Sequence, residues 1–325
     1  MNIQKPVIIA HRGASGYLPE HTLAAYKLAI AQGANFIEPD LVPTRDGVLI
    51  SRHENNIAET TDVSAHPEFA DRRTQHKIDG QVVDGWFTED FTLDELKTLK
   101  ARGRNKASSQ HNDEYPIATF QEVIDLAKGA GVGIYPETKH PSYFRSIGLP
   151  IEERLVDQLD RNGLNRPDAP VAIQSFEVGN LKALNLQTDV RLVQLVWTDG
   201  APQDFLDKGD KRTYADMMTA QGLAEVATYA DIVAPHKEMI LAPQSDGVLS
   251  SQASQLVTDA HAAGLLVHAY TFAADNIALP RSFQKGSDPQ GLGDLTSEVK
   301  AYFAAGVDGV FSNHPDLAVA ALPRV

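Results

Sequence analysis

Short apolar runs alternate with segments of helical periodicity along almost the whole chain, and this alternation restricts the possible folds more than any other feature of the sequence. It is typical of parallel strands joined by crossover helices, and about eight such units close into a barrel. The apolar runs lie at residues 7–10, 36–42, 48–51, 133–137, 171–176, 191–197, 231–235, 265–272 and 308–312. We therefore predict an α/β fold, a (β/α)8 TIM barrel, in which residues 1–325 form a single domain.

These runs number one more than the strands of such a barrel, and a turn explains the surplus. The tetrapeptide TRDG, Thr44 to Gly47, separates the second run from the third and is typical of a hairpin rather than a crossover. We therefore predict that the third run returns antiparallel to the second. A turn centred between Arg45 and Asp46 would place Glu38 opposite His53.

Residues 55–115 interrupt the alternation with a long polar stretch. It contains one clear helical segment, TLDELKTLK, in which Thr92 and Glu95 have the spacing of a capping box. We predict that this stretch is an insertion after the hairpin of the second and third strands. Because it follows the end of a strand, it should lie over the catalytic face of the barrel and shape the substrate pocket.

Composition argues against several classes of function. A formal net charge of −14 disfavours nucleic acid and anionic membranes as partners, because both bind basic patches, so a small molecule is the expected partner. The absence of cysteine excludes disulfides, thiolate catalysis and zinc–thiolate sites. No apolar run approaches the roughly 18 residues of a spanning helix, and no signal-like segment precedes the first strand. A cytoplasmic protein and a mature exported one both fit, and the oligomeric state stays open.

Polar residues that end or interrupt the apolar runs are the candidates for chemistry, because reactive groups in barrels of this kind lie at the carboxyl ends of the strands. These candidates are His11, Arg12, Glu38, Asp40, His53, Glu137 and Lys139. Glu38 and Asp40 are two residues apart on one strand and face the same side, which is costly for two carboxylates unless a cation joins them. With Glu137 they form an all-oxygen site suited to one divalent cation, Ca²⁺ or Mg²⁺.

Two histidines beside a hard cation suit the hydrolysis of a phosphodiester. His11 and His53 would be the general acid and base, although the sequence does not indicate which is which. Arg12 and Lys139 would bind the non-bridging oxygens of the phosphate. A single histidine at a strand end is more often structural, and a Glu-x-Asp pair alone is often a solvated edge. The joint occurrence of all these residues at strand ends favours an active site.

Three further residues are candidates for substrate binding. Gln174 and Phe176 share one face of their strand, and Tyr270 shares a face with His268, so that one of the latter two belongs to the core and the other lines the pocket. Surface or capping roles are expected for the remaining histidines considered, which fall in loops or on helices: His66, His76, His111, His140, His236, His261 and His314.

With these residues in view, the sequence resembles the glycerophosphodiester phosphodiesterase family, and most closely its longer bacterial branch, which typically includes periplasmic enzymes. The resemblance covers almost the whole chain. Its most specific parts are HRGASGYLPEHTLAAY from His11, IEPDLVPTRDGVLISRHE from Ile37, YPETK from Tyr135, QSF from Gln174 and VDGVFSNHPD from Val307.

The resemblance implies a barrel fold, one divalent cation, and hydrolysis of glycerophosphodiesters to sn-glycerol 3-phosphate and an alcohol. It also implies a periplasmic or secreted location. Carried onto this chain, the acid and base fall on His11 and His53, and phosphate contacts fall on Arg12 and Lys139. The metal ligands fall on Glu38, Asp40 and Glu137.

Four positions depart from the common pattern of the family. Glu54 stands where many members have Asp, Asn313 where a T-D-x-P signature usually has Asp, and His314 where an aromatic residue is common. Tyr270 occupies a position that is often Trp in shorter relatives. These departures bear on substrate choice and pocket lining more than on the reaction.

Two other functions remain open from the sequence. A phospholipase-like relative on the same barrel would cleave diesters through a cyclic phosphate with the same two histidines, although the acidic composition argues against work at a membrane. A binding protein on the same fold would have lost turnover, but it would not need His53 beside a metal site. The preferred alcohol and the physiological cation are not indicated.

Overall fold

A computed structural model gives the structure of residues 6–323. Its strands are β1 Val7–His11, β2 Phe36–Glu38, β3 Asp40–Pro43, β4 Leu49–Ser51, β5 Thr74–Ile78, β6 Gln81–Gly85, β7 Gly133–Ile134, β8 Glu137–Thr138, β9 Ala172–Ser175, β10 Arg191–Val196, β11 Ile232–Pro235, β12 Leu266–Phe272 and β13 Gly309–Ser312. Its α-helices are α1 Leu23–Ala31, α2 Leu93–Leu96, α3 Phe120–Ala130, α4 Pro141–Ser146, α5 Ile151–Arg161, α6 Val178–Leu184, α7 Gln203–Lys208, α8 Tyr214–Met217, α9 Ala220–Val226, α10 Leu256–Ala262, α11 Leu295–Ala304 and α12 Pro315–Val319.

The strands close into a parallel barrel. β1 lies between β13 and β2, and β9 to β13 pair in succession. β2 and β3 form one strand interrupted at Pro39, and β7 and β8 form the next strand, interrupted at residues 135–136. These two strands pair before the interruptions, through β2 and β7, and after them, through β3 and β8. Glu137 pairs with Gln174 of β9 and completes the ring. The predicted (β/α)8 barrel is confirmed.

Two apolar layers stabilise this barrel. Side chains such as Ile9, Phe36 and Phe311 fill its interior, and a larger buried layer packs the helices against the outside of the strands. Helix α3 shows how the sequence forms these crossovers: Thr119 and Glu122 make a capping box at its start. Gly131 ends the helix with a φ of +70°, a conformation that glycine adopts without strain.

The predicted hairpin forms, but the predicted register is wrong by one residue. β3 and β4 are antiparallel with Leu41 opposite Ser51, so the pairing does not place Glu38 opposite His53. The loop closes through a hydrogen bond from Thr44 N to Val48 O at 2.9 Å, with Gly47 at a φ of +80°. The turn therefore holds one residue more than the two-residue turn assumed from TRDG.

Residues 55–115 contain more regular structure than the sequence analysis found. The capping box of Thr92 and Glu95 at the start of α2 is confirmed. The antiparallel hairpin β5–β6, however, was missed. Its signal was the Asp79-Gly80 turn, in which both residues have positive φ, a combination typical of two-residue hairpin turns. None of the helices in the described part of the chain is both long and apolar enough to cross a bilayer.

Candidate active site

A cavity of about 600 Å³ opens at the carboxyl ends of the strands. Its lining includes the predicted site residues His11, Arg12, Glu38, His53, Glu137, Lys139, Gln174, Phe176 and Tyr270. The remaining predicted residue, Asp40, is buried, with 1% of its surface exposed, and lies beside the carboxylates that line the cavity. The structure therefore brings all the predicted site residues to one place.

Three buried carboxylates converge in this cavity. Glu38, Asp40 and Glu137 each offer one oxygen, and these oxygens lie within 4.8 Å of one another. Arg12 N donates to Glu38 Oε2 at 2.7 Å, and Gln174 Nε2 donates to Glu38 Oε1 at 2.9 Å, so this carboxylate is fixed in place. Asp40 Oδ1 is buried without a hydrogen-bond partner among the described residues, as expected of an oxygen that could bind a cation.

The triad is electrostatically unfavourable by itself. Burial and the charge of Asp40 raise the pKa of Glu38 well above its usual range. Burial, assisted by Asp40 and opposed by the Lys139 ammonium, raises the pKa of Glu137 to about 8. Burial opposes the ionisation of Asp40 too, but Lys139 and His21 hold its pKa well below the usual range. A bound divalent cation would offset this repulsion, and an all-oxygen donor set suits a hard cation.

His11 lies at the end of β1, directly before a sharp turn. Arg12 has a φ of +58° and Gly13 a φ of +85°, and a Cβ at Gly13 would lie 2.8 Å from the backbone of Ala25 in α1, so the turn requires glycine there. His11 Nδ1 donates to Asn313 Oδ1 at 2.7 Å. Burial and the charge of Arg12 lower the pKa of His11 to about 3, which leaves the ring neutral at pH 7 with Nε2 unprotonated.

His53 lines the cavity from the segment after β4, despite the shifted hairpin register. Its Nδ1 donates to Glu54 Oε1 at 2.6 Å. Burial and the charges of Lys139 and Arg12 lower the pKa of His53 to about 4. The two histidines therefore differ in their partners, because an amide orients His11 whereas a carboxylate orients His53.

Two cations border the triad. Lys139 Nζ lies 2.8 Å from Glu137 Oε1, and Arg12 Nε lies 3.5 Å from Asp40 Oδ2. Arg12 Nη1 also pairs with the buried Glu20 at 3.2 Å. Both cations line the cavity and can therefore meet an anionic group beside the carboxylates.

Aromatic rings form another wall of the cavity. Trp197 stacks on Tyr270 with ring centroids 6.1 Å apart, and Phe176 meets Tyr270 edge to face at 6.2 Å and Tyr214 at 6.3 Å. Tyr270 thus lines the cavity, whereas His268 is fully buried and its Nδ1 lies 2.9 Å from Tyr135 Oη. Trp197 and Tyr214 were not among the predicted site residues, because Trp197 is apolar and the search was for polar residues at strand ends, and Tyr214 lies on a short helix.

His21 is a further residue that the sequence analysis missed. It is fully buried, and its Nε2 donates to Asp40 Oδ2 at 2.8 Å while its Nδ1 accepts from Tyr26 Oη at 2.8 Å. It therefore orients one carboxylate of the triad. His21 precedes α1 rather than ending a strand, so the strand-end criterion could not select it, although it belongs to the quoted HRGASGYLPEHTLAAY segment.

The surface or capping role expected for the His314 side chain is wrong, since the ring is buried and makes no capping hydrogen bond at the start of α12. This residue is 1% exposed, its ring packs edge-on against Tyr17, and its Nδ1 accepts a hydrogen bond from Ala274 N at 3.2 Å. The neighbouring Ser312 Oγ accepts from His314 N at 3.1 Å. His314 therefore fixes the chain after β13, next to the Asn313 that orients His11.

Fold and site together define the class of this protein, a phosphoric diester hydrolase on a (β/α)8 barrel. Residues 11–317 match the model of the glycerophosphoryl diester phosphodiesterase family. The chain is 34% identical to a glycerophosphodiester phosphodiesterase of Arabidopsis thaliana, an alignment that covers 96% of this chain and 85% of the relative. The protein therefore belongs to the glycerophosphoryl diester phosphodiesterase family.

A second relative agrees with this membership, and a solved structure shares the fold. A glycerophosphodiester phosphodiesterase of Haemophilus influenzae is 30% identical, over 96% of this chain and 88% of the relative. The structure of a phosphodiesterase from Oleispira antarctica, in complex with the product sn-glycerol 3-phosphate, superposes with a TM-score of 0.63 at 22% identity. That superposition covers 98% of this chain and 96% of the other and shows a shared fold.

Proposed function

We propose that the protein hydrolyses glycerophosphodiesters to sn-glycerol 3-phosphate and an alcohol, with one divalent cation and two histidines. The observation that carries the proposal is one cavity that holds two neutral histidines, two cations and a buried carboxylate triad. The product complex of the Oleispira antarctica phosphodiesterase, which has the same fold, supports the choice of substrate class.

Glu38, Asp40 and Glu137 would hold the cation, and Ca²⁺ or Mg²⁺ fits because all three donors are carboxylates. When bound, such a cation polarises the phosphate and stabilises negative charge that develops on its oxygens. Arg12 and Lys139 add two further charges beside the triad. Together they orient the phosphate and lower the energy of its pentacoordinate transition state.

The partners of the two histidines suggest their roles in proton transfer. His11 Nδ1 is bonded to the Asn313 amide, so the unprotonated Nε2 is available to accept a proton from an attacking water. His53 Nδ1 is bonded to the Glu54 carboxylate, which stabilises the imidazolium form. His53, neutral in the free site, would take up a proton when the anionic substrate adds its negative charge to that of Glu54, and would pass this proton from Nε2 to the leaving alkoxide. As the water oxygen bonds to phosphorus, the bond from phosphorus to the alcohol oxygen breaks; His11 takes one proton from the water, and His53 gives one proton to the departing alcohol oxygen. The products are an alcohol and a phosphomonoester anion, and proton exchange with solvent returns both histidines to their starting states.

The insertion would limit the substrate to small soluble diesters. Asp79, at the turn of the β5–β6 hairpin, accepts a hydrogen bond from His140 Nδ1 at 2.5 Å, and His140 follows Lys139 directly. Tyr143 Oη donates to the buried Glu89 of the insertion at 2.6 Å. These contacts support a position of the insertion over the catalytic face, within a single domain of the whole chain.

Hydrolysis of glycerophosphocholine, followed by phosphorus NMR, tests the proposal. We expect sn-glycerol 3-phosphate as the phosphorus product, no turnover in excess chelator, and recovery with Ca²⁺ or Mg²⁺. The Asp40→Asn variant should lose activity and metal binding together. Full turnover by metal-free protein would contradict the cation, and accumulation of a cyclic phosphate as the final product would favour the phospholipase-like reaction instead.

A further inference from the structure

Residue Arg104 of the insertion reaches the active site from outside the barrel. Its backbone position is fixed locally, because Gly103 N donates to Asn112 Oδ1 at 2.8 Å. A Cβ at Gly103 would also lie 2.3 Å from Ser108 Oγ, so the chain packs closely there. Asn105 Nδ2 donates to Ser15 O at 3.1 Å and ties this segment to the loop that follows β1.

Arg104 bridges two carboxylates that serve different residues of the proposed reaction. Its Nε lies 3.0 Å from Glu20 Oε2, and its Nη2 donates to Glu54 Oε2. The other oxygen of Glu54 accepts from His53 Nδ1 at 2.6 Å. Glu20 Oε2 also pairs with Arg12 Nη1 at 3.2 Å. The Arg104 guanidinium thus connects Glu54, which bonds His53, to Glu20, which pairs with Arg12.

We propose that Arg104 is a positioning residue for catalysis, through which the insertion holds Glu54 against His53 and Glu20 against Arg12. This inference rests on the proposed function, because it assigns reaction roles to His53 and Arg12. The Nε and Nη2 atoms of Arg104 lie in one rigid plane and hold both carboxylates in a fixed geometry, which the flexible ammonium of a lysine would not reproduce.

The exposure of Glu54 explains why it needs a second partner. The charge balance around Arg104 explains why this residue does not itself bind the substrate. The Glu54 side chain is 37% exposed, so without a second partner it could rotate into solvent and release the His53 ring. The Glu20 side chain is 7% exposed and would lose one of its two cations. Because both carboxylates already balance its charge, Arg104 has little positive potential left for an anionic ligand.

The test compares Arg104→Gln and Arg104→Lys with wild type on glycerophosphocholine in the presence of the activating cation. Misplacing a proton donor by a small distance costs roughly 10- to 100-fold in rate, and we expect a kcat loss of that size with little change in KM. Arg102→Gln is the matched control, since Arg102 lies two residues away and pairs with Asp113 on the insertion surface. This control should keep wild-type kinetics.

A double-mutant cycle shows whether Arg104 acts through Glu54. Adding Arg104→Gln to Glu54→Gln should reduce kcat by at least roughly threefold less than adding it to wild type, because the carboxylate that Arg104 holds against His53 is already absent. Equal losses in the two backgrounds, wild-type kcat in Arg104→Gln, or full activity of Arg104→Lys would each overturn the proposal.

The titration of the His53 ring, followed by NMR in metal-loaded protein, gives a readout independent of turnover. The titratable and charged groups around His53 include Lys139, Arg12, Glu54 and Asp40, and Glu20 and His11 also interact with it. Removing the carboxylate in Glu54→Gln should lower the pKa of His53, and Arg104→Gln should lower it in the same direction but by less, because the released Glu54 no longer stabilises the imidazolium. An unchanged or raised pKa of His53 in a folded Arg104→Gln protein contradicts the positioning role of Arg104. An inactive wild type would instead refute the proposed function, and the titration would still decide the role of Arg104.

Discussion

Replacing each histidine separately with Asn distinguishes proton transfer from metal binding. Positioned proton transfer contributes roughly 10²- to 10⁴-fold to a rate, which corresponds to about 2.7–5.4 kcal/mol of transition-state stabilisation. The triad, Arg12 and Lys139 keep their mutual contacts when His11 or His53 is lost, because those contacts do not involve either imidazole. We therefore expect kcat on glycerophosphocholine to fall within this range while the Ca²⁺ affinity, measured by calorimetry, changes less than about twofold.

A substrate with a good leaving group identifies the acid. A nitrophenyl diester of glycerol needs little protonation of its leaving oxygen, so it should restore much of the rate of His53→Asn and none of that of His11→Asn. His111→Asn serves as the control, because His111 is a half-buried residue of the insertion that contacts Glu114. Rescue of the His11 variant alone would reverse the assignment of acid and base. Near-native turnover of both variants on a poor leaving group would refute proton transfer by these residues.

Three further predictions concern residues around the site. His21→Ala should weaken Ca²⁺ binding by about 10- to 100-fold in calorimetry, because the carboxylate that it orients loses its partner, and an unchanged affinity would contradict this role. Glu177→Gln should stabilise the protein more at pH 8 than at pH 4, by up to ~3 kcal/mol in denaturant unfolding. Burial raises the pKa of Glu177 to about 7, so the wild-type protein loses stability as the pH rises from the pKa of the unfolded state toward 7. An equal effect of the substitution at both pH values would contradict this prediction. Replacing residues 74–85 with a short linker should alter the preference among diesters with small and bulky alcohols, and unchanged kcat/KM ratios would remove the hairpin from substrate selection.

Much of the fold could be predicted because each strand and each helix carries its own sequence pattern. Each strand and its crossover helix is marked by its own apolar pattern, so the barrel could be predicted without knowledge of long-range contacts. The hairpin register could not, because it depends on whether Gly47 adds a residue to the turn, and both loop lengths are compatible with TRDG. The β5–β6 hairpin was missed since its strands are mostly exposed and lack a clear apolar alternation, although the Asp79-Gly80 turn marked it.

The site was predictable where its residues end a strand and unpredictable where they reach it from elsewhere. His11 ends β1, Glu38 ends β2 at the interruption, and Glu137 begins the short last segment of its strand, and the barrel geometry alone brings such positions together. His21 approaches from the segment before α1, and Arg104 from the insertion, through contacts that depend on how loops pack. No periodicity in the sequence records loop packing, so these two residues required the structure.

The convergence of the three carboxylates has a local cause in the chain. Proline precedes two of the ligands, as Pro39-Asp40 and Pro136-Glu137, and both adjacent strands are interrupted there. Because proline has no N–H, each strand lacks a donor at the break, while the carbonyls remain paired: Glu137 N donates to Pro39 O at 2.9 Å. The ladder therefore resumes in register after the break, with Asp40 beside Glu137. A continuous, regularly pleated pair would hold Glu38 and Asp40 one above the other along the strand. Both interruptions therefore lie where Glu38, Asp40 and Glu137 bring one oxygen each within 4.8 Å of one another, and the two prolines mark the candidate metal site in the sequence.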